Sequence, residues 1–196
     1  MASIAICSIN CRGLSNDVKR RDFFDRNRKK YDIIMLIDTH CTAQKEKQWQ
    51  HEWGYKAYFC SHTSNSRGVA ILFKNSFAFD IHKEIKDKNG NYLVLDITIQ
   101  EYRMTLVALY GPNDDNPVFF QNIQDIITQL SNSSIIIGGD WNVVQNFERD
   151  TCNYSSKNNL KAHGKIGELK EQSWTLLTFG AIITQKRRDL HGGVRD

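Results

Sequence analysis

Four short apolar runs in this chain break off into a carboxylate, a carboxamide or a phenol. Ile4-Ala5-Ile6-Cys7-Ser8-Ile9 runs into Asn10, and Ile33-Ile34-Met35-Leu36-Ile37 runs into Asp38. Leu106-Val107-Ala108-Leu109 runs into Tyr110-Gly111-Pro112-Asn113, and Ile135-Ile136-Ile137 into Gly138-Gly139-Asp140-Trp141-Asn142. Short runs without polar alternation are typical of strands buried on both faces. A chain holding several of them must cover both faces of its sheets with helices or a second sheet. Each ending has a plain reading, because Asp, Asn and Gly after a strand commonly form turns. Four such endings in one chain point further. Ligand sites in sheet proteins lie beyond strand ends. Two carboxylates, two carboxamides and a phenol could line one pocket there. Hard oxygen donors of this kind suit Mg²⁺ or Mn²⁺, not zinc.

The remaining pattern places these runs in an alternating order. Ser3 to Ile9 reads as the first strand. A charged helix follows from about Asp17 to Tyr31, with Ser15 or Asn16 as its N-cap. Ile33 to Ile37 is a strand, and residues 43 to 52 read as helical. Tyr55 to Cys60, Val69 to Phe73, Phe77 to Ile85, Tyr92 to Ile99 and Met104 to Tyr110 read as five further strands. Lys88-Asn89-Gly90-Asn91 is a hairpin turn signal. A helix is expected from Asn116 to Leu130, a strand from Ser134 to Ile137, and another helix over 164 to 178. The order β-α-β-α, then hairpins, then α-β predicts an α/β fold. Its architecture is a two-sheet α/β sandwich in four layers, helices on the outer faces.

Composition narrows the function classes. The 196 residues are 40% hydrophobic and 24% charged, as in an ordinary globular chain. No apolar run approaches the roughly 18 residues that span a membrane. The N-terminus lacks the basic and apolar regions of a signal peptide, so an intracellular protein without a membrane partner is expected. Five Cys are scattered without a CxxC pair, which reads as reduced thiols with no disulfide partner. The net charge of +4 permits a phosphate-bearing partner without demanding one. The basic stretch Lys19 to Lys30 reads first as a solvated helix face. Arg20, Arg21 and Arg28 within it are weak candidates for nucleic-acid phosphates. Trp49 and Trp53, four apart, read as helix packing rather than base stacking. Arg67 stands before Gly68 at a strand start, with no role assigned.

SINCRGL, LIDTH, SRGVAILF, ALYGPN and GGDWN occur here in order. Together they resemble the endonuclease/exonuclease/phosphatase superfamily, in the variant found as the endonuclease domain of LINE-type (non-LTR) retrotransposons, which is similar to apurinic/apyrimidinic endonucleases. The resemblance runs from about residue 3 to 170. It implies Mg²⁺-dependent phosphodiester hydrolysis that nicks a DNA strand, with Mn²⁺ able to replace Mg²⁺. It implies that Asn10 helps bind metal and the scissile phosphate, and that Asp38 stands where the family has its principal metal ligand. Tyr110 would hydrogen-bond the phosphate, Asp140 would orient or deprotonate the attacking water, and Asn142 would hold the phosphate. Asn113, in the same motif as Tyr110, joins Asn142 as a substrate-binding candidate. His40 is implied to be structural. The expected partners are DNA and, in a full-length element, a reverse transcriptase domain. The nucleus is the expected location of a functional copy, the cytoplasm otherwise.

The sequence departs from the family at two places. Asp38 stands where the family usually has Glu, a side chain shorter by about 1.5 Å. A displacement of about that size can cost roughly 100-fold in rate. The family's further strand-borne Asp and terminal Asp-His pair have no counterpart, because Arg188-Asp189-Leu190-His191 has the wrong spacing and setting. The domain is therefore expected to be partial, covering 1–173 and incomplete at the C-terminus. Residues 174–196 are expected to be a non-family tail. A two-base shift in a coding sequence for Trp174 onward yields DLVDIWRYYN, similar to what retrotransposon endonucleases carry here, so a frame change is expected. Residues 174–183 should then cling to a sheet and the extreme tail should be loose. Two alternatives stay open beside an active nuclease: a catalytically inactive truncated copy, and a non-catalytic nucleic-acid-binding fragment.

Overall fold

The apolar runs become strands where their pattern places them. A computed structural model describes residues 4–75, 77–132, 134–144, 160–171, 175–177 and 182–185. In chain order the elements are β1 (Ile4–Asn10), α1 (Asp17–Asn27), β2 (Ile33–Ile37), a 3-10 turn (Ala43–Lys45), α2 (Glu46–Trp53), β3 (Ala57–Cys60), β4 (Val69–Phe73) and β5 (Asp80–Lys86). They continue as β6 (Tyr92–Ile99), β7 (Tyr102–Tyr110), α3 (Pro117–Leu130), β8 (Ile135–Asp140), α4 (Leu160–Glu171), β9 (Thr175–Leu177) and β10 (Ile182–Gln185).

Two five-stranded sheets result, in the orders β10-β1-β2-β4-β3 and β5-β6-β7-β8-β9. Side chains alternate across each strand. Ile33, Met35 and Ile37 of β2 point inward, where they meet Leu93, Leu95, Leu106 and Ile136 of the other sheet. Ile34 and Leu36 point outward, under Phe24 of α1 and Trp49 and Trp53 of α2. On the far side Val107, Leu109, Ile135 and Ile137 lie under Phe120, Ile123 and Ile127 of α3 and Ile166 and Leu169 of α4. Both faces of the central strands are thus covered, which is why their sequence shows no alternation. The four-layer α/β sandwich is the expected fold.

Several boundaries differ from the sequence reading. Helix α1 starts as expected, with Asn16 Oδ1 accepting the Lys19 N–H at 2.9 Å. It ends at Asn27, not Tyr31, because the chain turns to bury Tyr31 and to tie Asp32 to β1 through Ala5 N–H at 2.8 Å. The strand expected from Phe77 begins only at Asp80, with a bulge between Ile81 and Lys83. The helix expected over 164–178 occupies Leu160–Glu171, and residues 175–177 instead form β9, parallel to β8. Strand β10 pairs antiparallel with β1. Residues 186–196, the extreme tail, lie outside the described residues, as does Cys152.

Gly138 and Gly139 lie inside β8 rather than in a turn. Gly138 faces the other sheet, where an added Cβ would stand 2.6 Å from Met35 Sδ and 3.1 Å from Ser8 Cβ. The missing side chain lets β8 approach β1 and β2, and that approach brings the two sheets' strand ends together.

Candidate active site

Strands β1 and β2 run parallel in one sheet, and β7 and β8 run parallel in the other. Their register sets Asn10 opposite Ile37 and Tyr110 opposite Asp140. The sheets meet at these ends. Asn10 Nδ2 donates to Asp140 Oδ2 at 2.8 Å across the gap between them. The backbone N–H of Asn142 donates to Asp140 Oδ1 at 3.1 Å. The Asp140 carboxylate is therefore held by one donor on each oxygen, with lone pairs left over. Asn142 Nδ2 donates to the Gly111 carbonyl at 2.6 Å, which ties the loop after β8 to the loop after β7.

Asp38 stands at the end of β2, half-buried. Its Oδ1 accepts from the Arg67 backbone N–H and faces His40 Nε2, both at 3.0 Å. Its Oδ2 takes no hydrogen bond from the described residues. Tyr110, opposite Asp140 in the sheet, feels the charge of both carboxylates. Burial raises its phenol pKa above the ordinary value, and the negative charges of Asp38 and Asp140 push the same way. The Asn142 side chain, which shares a hydrogen bond with the phenol, opposes them. The phenol thus keeps its proton and can donate it in a hydrogen bond. Cys11, next to Asn10, is a poor nucleophile, because burial pushes its thiol pKa up to about 12.

Backbone strain gathers at this edge. Arg12, Asp38, His40, Arg67 and Asn142 all take the left-handed conformation, with φ between 46° and 60°. Elsewhere among the described residues only Gln100 and Ser131 do so outside glycine. Strain of this kind persists where surrounding structure fixes it, and it concentrates at functional sites.

The structure brings Asn10, Asp38, Tyr110, Asp140 and Asn142 together. Asn113 is exposed in the loop between β7 and α3. The basic helix behaves otherwise than expected. Arg20 is 0% exposed. Its guanidinium donates to Glu52 at 2.7 and 2.9 Å, to Asp17 at 2.8 Å and to the Leu14 carbonyl at 3.0 Å, beneath the Trp49 ring. It has no surface to offer a phosphate, and its role as a nucleic-acid contact is corrected to that of a core tie between α1 and α2. Arg28 is partly buried, donating to the Glu52 carbonyl at 2.7 Å and pairing with Asp25 at 3.3 Å. Arg21 alone of the three is exposed on the helix face. Trp49 and Trp53 are fully buried, as packing requires.

Two residues of this edge had no assigned role. Arg67 holds Asp38 through its backbone, and its Nη1 lies 3.4 Å from Asn91 Oδ1. Asn91 is buried, and its Nδ2 donates to the Tyr110 carbonyl at 2.8 Å. The available signals were the Arg-Gly pair before β4 and the turn Lys88 to Asn91. Neither signal specifies a partner.

The donor set fits a hard divalent cation. Among the described residues no three His, Cys, Asp or Glu side chains gather as a full cage. Mg²⁺ does not ask for one, since it binds through one or two carboxylates and completes its shell with waters and substrate phosphates. The uncommitted Oδ2 of Asp38 beside Asn10 and Asp140 is such a partial set.

Residues 7–162 match the family described as Endonuclease/Exonuclease/phosphatase family. The chain belongs to that family. It is 26% identical over 144 residues to the "Transposon TX1 uncharacterized 149 kDa protein" of Xenopus laevis; this stretch covers 71% of the chain and 11% of that protein. The chain thus spans about a tenth of that relative. Its fold is similar to the endonuclease domain of TRAS1, a telomere-specific non-LTR retrotransposon, with TM-score 0.60, 14% identity, and coverage of 86% of this chain and 73% of that one. It is also similar to the 3′ phosphatase NExo from Neisseria bound to product DNA hairpin, with TM-score 0.63, 14% identity, and coverage of 86% and 71%. The fold is thus that of the family, shared with the endonuclease domain of TRAS1 and with NExo. Among the described residues no helix is long and apolar enough to cross a membrane.

Proposed function

We propose that the chain is a Mg²⁺-dependent endonuclease domain of retrotransposon type that hydrolyses a phosphodiester and nicks a DNA strand. The observation that carries this reading is the 2.8 Å hydrogen bond from Asn10 to Asp140, which joins the two sheets at the edge that also holds Asp38, Tyr110 and Asn142. Asp140 takes the proton of the attacking water. Its two fixed oxygens hold it in one orientation, which is what in-line attack requires. Tyr110 and Asn142 donate to the equatorial oxygens as charge develops there. Asn10 positions Asp140 and faces the phosphate. Asp38, with Asn10, would hold Mg²⁺, or Mn²⁺ in its place. When bound, that ion neutralises phosphate charge and supports the leaving sugar oxygen. Asn113 and Arg21 are outer contacts for the strand. The nucleus is the matching location, and the far longer transposon relative fits a reverse transcriptase domain in the same full-length protein.

The test is nicking of supercoiled plasmid by the purified chain. Relaxed circles should form with Mg²⁺, stop with EDTA, and form again when Mg²⁺ or Mn²⁺ is restored. A folded chain that leaves the plasmid supercoiled in both metals would refute an active nuclease. It would favour the inactive copy, in which the shorter Asp38, tied by Arg67 and His40, fails to hold metal. DNA affinity without cleavage would favour a binding module.

A further inference from the structure

Arg67 differs from the other arginines around it. Arg20, Arg26, Arg28 and Arg103 each pair with a carboxylate at 2.6 to 3.3 Å. Arg12 and Arg21 are exposed and solvated. Arg67 is half-buried, yet it forms no ion pair with any described residue. Among the described residues its one side-chain hydrogen bond is Nη1 to Asn91 Oδ1 at 3.4 Å, a weak bond. A guanidinium has five N–H donors, so nearly all of its capacity is unspent. A partly desolvated cation without a counter-charge is costly, and the cost falls when an anion arrives.

The backbone makes the same point. Arg67 has φ 60° and precedes Gly68, with φ 88°. Its N–H donates to Asp38 Oδ1 at 3.0 Å and its carbonyl accepts the His40 N–H at 2.8 Å. Glycine or asparagine would make both backbone bonds with less strain. The arginine side chain thus has a use that these backbone bonds do not explain. Asn91 shows where that side chain is aimed. Its Nδ2 is committed to the Tyr110 carbonyl at 2.8 Å, so its Oδ1 is turned toward Arg67. Arg67 is thereby linked to Asp38 through its own backbone and to the Tyr110 carbonyl through Asn91, at an edge whose two carboxylates repel a polyanion.

We propose that the Arg67 guanidinium binds a backbone phosphate of the nucleic-acid strand at the Asp38–Tyr110 edge of the candidate site, and that Asn91 is its positioning residue. The planar guanidinium fork matches two phosphate oxygens. The proposal rests on the phosphodiester substrate proposed above.

The experiment measures affinity for a short duplex across a salt series, with Mg²⁺, in the full chain carrying Asp140→Asn to prevent turnover. Loss of one phosphate contact should lower the slope of log affinity against log salt by about 0.9. Arg67→Gln should show that loss and bind roughly 10-fold more weakly at low salt. Arg67→Lys should keep the slope. Arg67→Gly should lose the same binding while its melting temperature stays level or rises, because the left-handed backbone is relieved. Asn91→Ala should weaken binding in the Arg67 chain and have no added effect beside Arg67→Gln. An unchanged slope and affinity in Arg67→Gln would overturn the proposal while leaving the nuclease reading intact. Binding losses that merely follow falling melting temperatures would overturn it in favour of a structural role. A chain with native Arg67 that binds no DNA would overturn both.

Discussion

Asn10 and Asp140 are 130 positions apart in sequence and 2.8 Å apart in space. Each was legible because it ends an apolar run, and so were Asp38, Tyr110 and Asn142. Their family resemblance supplied roles that spacing alone could not. Tyr110 is the member whose chemistry can be checked by itself. Tyr110→Phe removes one donor to developing charge and should lower the nicking rate on the order of 10²-fold. Because the folded phenol titrates above its ordinary value near 10, its ionisation should not limit the rate below about pH 10. Above about pH 10 the unfolded phenol loses its proton before the folded one, so stability falls as pH rises through that window. A pH–rate profile and denaturant midpoints at alkaline pH read the two effects. Arg67 and Asn91 were not legible, because their contacts join loops distant in sequence. Arg20 was misread for a related reason. A run of basic residues looks solvated until Glu52, 32 positions on, is seen to fold over it.

At the scale of elements, that pair ties α1 to α2 against the outer face of the first sheet. Glu52→Ala leaves the buried Arg20 charge with Asp17 as its only acid partner among the described residues. Removing one member of a buried pair costs about 3–5 kcal/mol, and urea unfolding should show a loss of that size. The same pair gives an acid limit. Arg20 lowers the Glu52 pKa below its usual value, so the pair's stabilisation is present above about pH 4.5 and is lost as pH falls through the folded value. The strands β2, β4 and β6 were legible to the residue, since apolar runs define them. β8 was read short because Gly138 and Gly139 resemble a turn. A glycine set in a strand by the closeness of another sheet leaves no local signal. The end of α1 was also missed, since what stops it is the burial of Tyr31 and the bonds of Asp32.

The whole molecule places its candidate site by the spacing of two sheets, and Gly138 sets that spacing. Gly138→Ala would put a methyl group against Met35 and Ser8 and should cost about 1–3 kcal/mol by overpacking. Because the same strand carries Asp140, the nicking rate should fall even at temperatures where the variant stays folded. A rate unchanged in a folded variant would show that the sheets accommodate the methyl group without moving the site. The four-layer arrangement was legible from pattern alone. What the two sheets bring into contact was not, because no local signal links the end of β1 to the end of β8.

The most direct test of the account is single-turnover nicking of supercoiled DNA in Mg²⁺ by the native chain and by Asp140→Asn, purified side by side. An amide at this position keeps the size of the side chain and removes the base, giving up one of the two hydrogen bonds that the carboxylate accepts from Asn10 and Asn142. The account predicts that the native chain nicks and that the variant, equally folded, is slower by at least about 100-fold. Equal rates in the two chains, or no nicking by a folded native chain, would contradict it.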